Sequence, residues 1–263
     1  MINLSACIEM LFSEHEFYDR FKAAYDAGVK AVEFWGWSRL DIGRIKELKT
    51  EYKLPIAAMC VDTLDPAVKE QWHKFAMLHR ESPEYFVKVV EQSITVAKEL
   101  DVRTLIVTTG NERKDATRYE QHLNVVRCLK AAGPMLLDAG VTLVLEPLNV
   151  LTDHHGYFLP SSYEAFAMIE EADQKNVRVL YDVYHQQITE GNLIPTIRKN
   201  IELIGHFHTA DVPGRLEPGT GEINYRNVFA AIAESGYKKY VGVESRVTKP
   251  TAEAWKDVAA LTV

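Results

Sequence analysis

Between Val141 and Arg246, four short apolar runs each end in a side chain that can bind a metal ion. Residues 141–145 are closed by Glu146, 177–181 by Asp182, 201–207 by His208 and 240–243 by Glu244. The runs are short and rich in β-branched residues, which suits buried parallel strands. The four polar residues stand 36, 26 and 36 positions apart. A strand, a helix and two loops take roughly 30 residues, so one such side chain falls at the same end of each successive βα unit. In a closed parallel barrel those ends meet at one rim, ringed by the βα loops. Three carboxylates and an imidazole gathered there repel one another unless a counter-charge is supplied. A divalent cation supplies it. Oxygen donors with one nitrogen suit Mn²⁺, Mg²⁺ or Co²⁺, admit Zn²⁺ and disfavour soft copper.

The remainder of the chain has to build that barrel. Its 263 residues match one (β/α)₈ unit of roughly 250 residues. A hydrophobic content of 47% is enough for a sizeable core. No composition break, linker or low-complexity tract interrupts the sequence, so residues 1–263 are expected to form a single α/β TIM-barrel domain. The net charge of −7 disfavours a nucleic-acid partner, which calls for clustered positive charge. Cys7, Cys60 and Cys128 are scattered without paired spacing. They point to a reducing cytoplasm and to small buried residues rather than nucleophiles. No basic segment precedes the first apolar run, and no run approaches the roughly 20 residues that span a bilayer. A soluble cytoplasmic enzyme with a small-molecule substrate is expected, with a homo-oligomer left open.

Strand and helix patterns alternate from the start. Strands are expected at 3–8, 31–34, 56–60 and 104–108, ahead of the four described above. Ser13 with Glu16 reads as a capping box opening a helix that Gly28 stops. Asp41 opens the second helix, and residues 61–81 read as a helical excursion over the barrel mouth. Ser82-Pro83 opens a helix to about Leu100. A long helix at 119–139 carries Gly133-Pro134, where an interruption or bend is expected. Helices at 162–171, 186–200, 225–235 and 251–261 complete the pattern, the last of them short.

Several motifs in the second half resemble the hydroxypyruvate isomerase family of the xylose isomerase-like TIM barrels, whose superfamily also includes sugar 3-epimerases. They are Leu145-Glu146-Pro147-Leu148-Asn149, Tyr181-Asp182-Val183-Tyr184-His185-Gln186-Gln187, Gly205-His206-Phe207-His208, Val212-Pro213-Gly214-Arg215, the run from Pro218 to Tyr225, and Gly242-Val243-Glu244-Ser245. Each is weak alone, and together they are specific to the superfamily. The resemblance implies a metal held by Glu146, Asp182, His208 and Glu244. It also implies acid–base catalysis by Glu146 and Glu244, and substrate contacts by His185 and Arg215. The pattern departs at two places. Sugar 3-epimerases usually carry a glutamate where this chain has Thr152, and hydroxypyruvate isomerases often carry glutamine where it has His208.

Chemistry supplies a separate reason for the same assignment. Moving a proton between adjacent carbons beside a carbonyl requires an enediolate to be stabilised as it forms. A divalent ion chelated by the carbonyl and the neighbouring hydroxyl does so as a Lewis acid. Carboxylates on two separated strands then exchange the proton. His185 either donates to the oxygen that gains charge or is satisfied in a helix cap. Arg215 either holds a substrate carboxylate or terminal oxygen, or pairs with Glu217 or Glu222 at the surface. His206, two residues before His208, belongs one layer deeper. Trp35 is expected either in the core or as a wall of the site, and Phe34, Trp37 and Phe207 in the core. The expected function is a metal-dependent isomerase of a small hydroxy-carbonyl acid or sugar, of the hydroxypyruvate to tartronate semialdehyde type. The alternatives are a ketose 3-epimerase of the tagatose/psicose type, a nuclease of the endonuclease IV type and a non-catalytic binding barrel.

Overall fold

Eight parallel strands close into a barrel in sequence order, each hydrogen-bonded to its neighbours in the chain. The structure is a computed structural model and describes residues 2–262. The strands are β1 (Asn3–Cys7), β2 (Val32–Phe34), β3 (Ile56–Cys60), β4 (Thr104–Val107), β5 (Thr142–Leu145), β6 (Val177–Asp182), β7 (Ile204–Thr209) and β8 (Tyr240–Val243). The helices around them are α1 (Asp19–Asp26), α2 (Ile42–Glu51), α3 (Pro66–Phe75), α4 (Ser82–Leu100), α5 (Arg118–Ala139), α6 (Ser162–Ala172), α7 (Val183–Thr189), α8 (Leu193–Asn200), α9 (Tyr225–Glu234) and α10 (Thr251–Ala259). The final helix has nine residues, yet closure is complete, with Asn3 to Ala6 in register with Tyr240 to Val243. Among the described residues no helix is long and apolar enough to cross a membrane.

Local chemistry accounts for most boundaries. Asp41 caps α2 by accepting from the Arg44 amide, and Asp65 caps α3, the excursion expected in 61–81. Thr117 and Glu120 form a reciprocal capping box on α5, and Gly140 ends that helix in the left-handed region. Gly133-Pro134 does not interrupt α5, which runs through both residues. Gly133 is there because the Gln174 side chain rests on it; a Cβ would lie 2.0 Å from Gln174 Oε1.

Three boundaries differ from expectation. Ser13 makes no cap, and α1 begins only at Asp19. Residues 8–17 instead form turns whose carbonyls are gathered by Arg20, at 2.7 Å from Ile8 O and 2.9 Å from His15 O. That loop buries Leu11 and Phe12, so tertiary packing overrides the local capping signal. The helix expected at 186–200 is two helices, because Gly191 and Asn192 both adopt positive φ (63° and 49°). Residues 201–203 form a 3₁₀ turn, and β7 starts at Ile204.

The barrel interior has two unlike halves. Ala58, Ile106, Val144 and Leu180, from β3 to β6, form a closed apolar cluster edged by Cys60. The opposite half, from β1, β2, β7 and β8, places Ser5, Glu33, His206 and Gly242 together. Glu33 Oε2 accepts from Ser5 Oγ at 3.0 Å and lies 3.0 Å from His206 Nε2. Gly242 leaves room for this carboxylate, since a Cβ there would sit 2.1 Å from Glu33 Oε1 and 2.7 Å from His208 Cδ2. Gly242→Ala should therefore destabilise the protein by about 1–3 kcal/mol through overpacking, measured as a lower urea midpoint.

Candidate active site

Glu146, Asp182, His208 and Glu244 meet at the carboxyl ends of β5 to β8, with one donor atom of each within 4.8 Å of the others. The strand ladder fixes their backbones. The Glu146 amide donates to Val107 O (3.0 Å) and the Glu244 amide to Thr209 O (3.1 Å), each continuing the pairing one residue past the strand. The Tyr157 hydroxyl holds Glu146 O at 2.8 Å. Asp182 ends β6 and caps α7 at once. Its Oδ1 accepts from the amides of Tyr184 (2.8 Å) and His185 (3.4 Å), while Oδ2 lies 3.6 Å from His185 Nε2.

His208 is the centre of the cluster. Its Nδ1 lies 3.5 Å from Glu146 Oε1 and 3.6 Å from Glu244 Oε2, too long for good hydrogen bonds. Its Nε2 points away, 3.1 Å from Glu33 Oε1, as an ion pair off line for a hydrogen bond. His208 Nδ1 and Glu146 Oε1 are thus buried polar atoms without a hydrogen-bond partner among the described residues. Such orphans are costly unless something else satisfies them. A divalent ion fits this donor set of three carboxylates and one imidazole nitrogen. Glu33, His206 and His208 also lie close enough to share an ion, but Glu33 Oε2 there is already taken by His206 and Ser5.

The charges balance by pairing. Burial works to raise the Glu244 carboxyl, but His208, Arg215 and the Trp35 indole together hold it below the usual carboxylate range. Burial likewise opposes ionisation of Glu33, yet the charges of His208 and His206 pull it well below its ordinary value. Burial would depress the His208 imidazole, and Glu244 and Glu33 overcome it and hold it well above its ordinary value. Asp182 is the exception. Burial raises its carboxyl, and Arg215 and His208 offset this only in part.

The other two residues singled out in the sequence also reach the cluster. His185, in the first turn of α7, is fully buried, with Nδ1 2.7 Å from Asn149 Nδ2 and 3.2 Å from the Asn149 amide. Both partners are donors, so Nδ1 accepts and the neutral ring carries its proton on Nε2, which faces Asp182 and has no hydrogen-bond partner. Burial, with the charge of Arg215, pushes this imidazole down to about 3. Arg215 pairs with Glu244 across a short contact, and its guanidinium sits 5.5 Å from the Tyr184 ring centroid. Its backbone is left-handed (φ 56°), following Gly214 at φ 93°, a conformation that costs a non-glycine residue about 1–2 kcal/mol. The surface partners considered for it are engaged elsewhere: Glu217 accepts from the Thr248 amide at 3.0 Å, and Glu222 from Gln187 at 3.1 Å.

Trp35 is 43% exposed at the mouth and donates its indole N–H to Glu244 Oε1 at 2.7 Å, so it belongs to the site wall. Trp37, Phe34 and Phe207 are core residues. Burial, with nearby carboxylates, raises the thiols of Cys7 and Cys60, which leaves both as packing residues. Glu33 was not singled out in the sequence. The signal was there, as one charged residue inside the apolar stretch Ala31-Val32-Glu33-Phe34. Asn149 stood in the sequence only as the end of a family motif, and Asp153 had no role there; Asp153 accepts from Asn149 (2.8 Å), Tyr184 (2.7 Å) and Thr152 (2.7 Å).

A closed parallel barrel with this cluster at its carboxyl rim matches a known architecture. The family model described as "Xylose isomerase-like TIM barrel" matches residues 21–262, and the chain belongs to that family. Among curated proteins, hydroxypyruvate isomerase of Escherichia coli (strain K12) is 32% identical over 260 residues, covering 98% of this chain and 99% of that protein. A 2-oxo-tetronate isomerase of Cupriavidus necator is 30% identical over 246 residues, 94% of this chain and 93% of that protein. Among solved structures, an "AP endonuclease, family 2" from Brucella melitensis superposes with a TM-score of 0.90 at 27% identity, covering 99% of both chains. An L-ribulose 3-epimerase, with a TM-score of 0.75 at 22% identity over 99% of this chain and 86% of that one, shares the fold.

Replacing Glu33 leaves two buried histidines without their carboxylate. Glu33→Gln should cost roughly 3–5 kcal/mol in urea unfolding of the metal-free protein at pH 7. The Glu33 carboxyl is depressed in the fold, so its contribution is complete above the unfolded-chain value of about pH 4.3 and is lost as pH falls toward the folded value. The variant should show a flatter acid limb in stability against pH.

Proposed function

We propose that this protein is a divalent-metal-dependent isomerase of a small hydroxy-carbonyl acid, interconverting a 2-oxo-3-hydroxy acid and its aldehyde isomer as in hydroxypyruvate to tartronate semialdehyde. The observation that carries this reading is the convergence of Glu146, Asp182, His208 and Glu244 at the barrel rim, with buried, unpartnered donor atoms on Glu146 and His208. The near-full-length likeness to proteins named hydroxypyruvate isomerase and 2-oxo-tetronate isomerase supports it.

The ion, when bound by those four side chains, would supply Lewis acidity to the substrate carbonyl and its neighbouring hydroxyl. One of the two glutamates, Glu146 or Glu244, takes the proton from the hydroxyl-bearing carbon, and the electron pair forms the enediolate double bond. The proton is then returned to the former carbonyl carbon by either carboxylate, and the hydroxyl proton passes to the former carbonyl oxygen. Trp35 and Arg215 hold Glu244 in its charged, proton-accepting form. His185 offers its Nε2–H, fixed by Asn149, to an oxygen that gains charge. Arg215 contacts the same substrate from the β7 loop.

A ketose 3-epimerase is the second reading, and Thr152 weighs against it. Its hydroxyl is used within a turn, bonded to Asn149 Oδ1 (2.9 Å) and Asp153 Oδ2 (2.7 Å), where 3-epimerases usually carry a glutamate. The net charge of −7 favours a small molecule over nucleic acid as the partner.

Metal analysis followed by an assay of hydroxypyruvate, fructose and tagatose with the metal found is the test. Turnover should be greatest on hydroxypyruvate, and product formed in D₂O should carry solvent deuterium. Label-free product would argue for hydride shift in place of proton transfer. Glu146→Gln and Glu244→Gln should each lower kcat by about 10²–10⁴-fold.

A further inference from the structure

A cavity of 270 Å³ opens beside the cluster, between the β5, β6, β7 and β8 loops, and Arg215 and Arg246 both line it. We propose that this cavity is an anion subsite in which Arg246 holds the terminal carboxylate or phosphate of the substrate. The proposal rests on the isomerase reading and names the residue that would recognise the anionic end of its substrate.

The two arginines are placed together but used differently. The Arg246 amide donates to Arg215 O at 2.8 Å, which pins the β8 loop to the β7 loop. The Arg215 guanidinium is committed to Glu244 and lies against the Tyr184 ring. The Arg246 side chain has no hydrogen-bond or ion-pair partner among the described residues, and it is exposed to the cavity.

No neighbouring carboxylate pairs with it among the described residues. Asp153, on the same wall, already accepts from Asn149, Thr152 and Tyr184. Glu244 is taken by Arg215 and Trp35. With Arg215 already paired to Glu244, Arg246 is the guanidinium on this wall left for a ligand, and a guanidinium pairs bidentately with carboxylate or phosphate oxygens. The cavity is smaller than the roughly 300–1,000 Å³ typical of drug-sized ligands, so it suits a short terminal group. Arg215, expected from the sequence to hold a substrate carboxylate or terminal oxygen, is paired with Glu244, and Arg246 takes the terminal anion.

The test compares wild type with Arg246→Gln and Arg246→Lys, using the metal-loaded protein. Titration calorimetry with malonate and with inorganic phosphate reads the subsite without turnover. Kinetics on hydroxypyruvate, 2-oxo-tetronate, a tetrulose phosphate and the uncharged tetrulose read it in turnover. Arg246→Gln should weaken malonate or phosphate binding by roughly 10–100-fold, the range for one hydrogen-bonded charged contact. It should raise KM for the anionic substrates with little change in kcat and leave the uncharged tetrulose unaffected, and Arg246→Lys should recover part of the loss. The tighter of malonate and phosphate identifies the terminal group. Wild-type protein that binds neither anion, or a variant that binds both unchanged, would overturn the subsite, as would equal losses on charged and uncharged substrates. Anion binding lost in Arg246→Gln, in a protein that turns over none of the four, would uphold the subsite and remove the isomerase reading.

Discussion

Ionised carboxylates taken out of water must be paired, and the inside of this barrel is arranged around that requirement. Glu33, Glu146, Asp182 and Glu244 are all buried at or near the carboxyl rim, with His185, His206, His208 and Arg215 buried or nearly so among them. His208 stands between Glu33 beneath it and the three rim carboxylates above it. Gly242 vacates the space that Glu33 fills, and Arg215 accepts a left-handed backbone that brings its guanidinium onto Glu244. The apolar half of the interior carries none of this burden and is packed with ordinary aliphatic side chains. The fold therefore separates its two tasks by side as well as by end: β3 to β6 supply the apolar filling, and β7, β8, β1 and β2 supply the ionic network beneath the rim.

Much of this could be read in the sequence, for identifiable reasons. The four rim residues were visible because parallel βα units repeat at a nearly constant interval and each ended in the same kind of side chain. The barrel itself followed from the alternation of strand and helix patterns. Glu33 escaped because β2 is only three residues long, and so short a run shows little periodicity in which a charge would stand out. The start of α1 was misplaced because Ser13 and Glu16 have the local chemistry of a cap, while the burial of Leu11 and Phe12 demanded a loop. The break between α7 and α8 lay in Gly191-Asn192, a pair suited to positive φ that a helical pattern on both sides concealed. Partners across the barrel, such as Trp35 with Glu244 at a separation of 209 residues, have no local signature at all.

The fold is shared widely and constrains chemistry only loosely. Solved structures of proteins as different as an AP endonuclease and an L-ribulose 3-epimerase superpose over nearly the whole chain. What distinguishes one such barrel from another lies in the loops beyond the strands. In this chain the β5 loop is organised by Asn149, whose side-chain oxygen accepts from Thr152 while its amide nitrogens reach His185 and Asp153. The β7 loop is organised by Asp211, which accepts from the amides of Val212, Gly219 and Ile223. These two side chains fix the course of the loops that border the cluster.

Asp182 joins two mechanical systems at a single residue. One carboxylate oxygen starts α7 and the other faces the cluster, while the helix it starts carries Tyr184 and His185. A rotation of the helix would tilt the carboxylate, and a pull on the carboxylate would tilt the helix. The three side chains are thus ganged like teeth on one gear. The rim carboxylate is thereby oriented by a backbone turn as well as by side-chain packing.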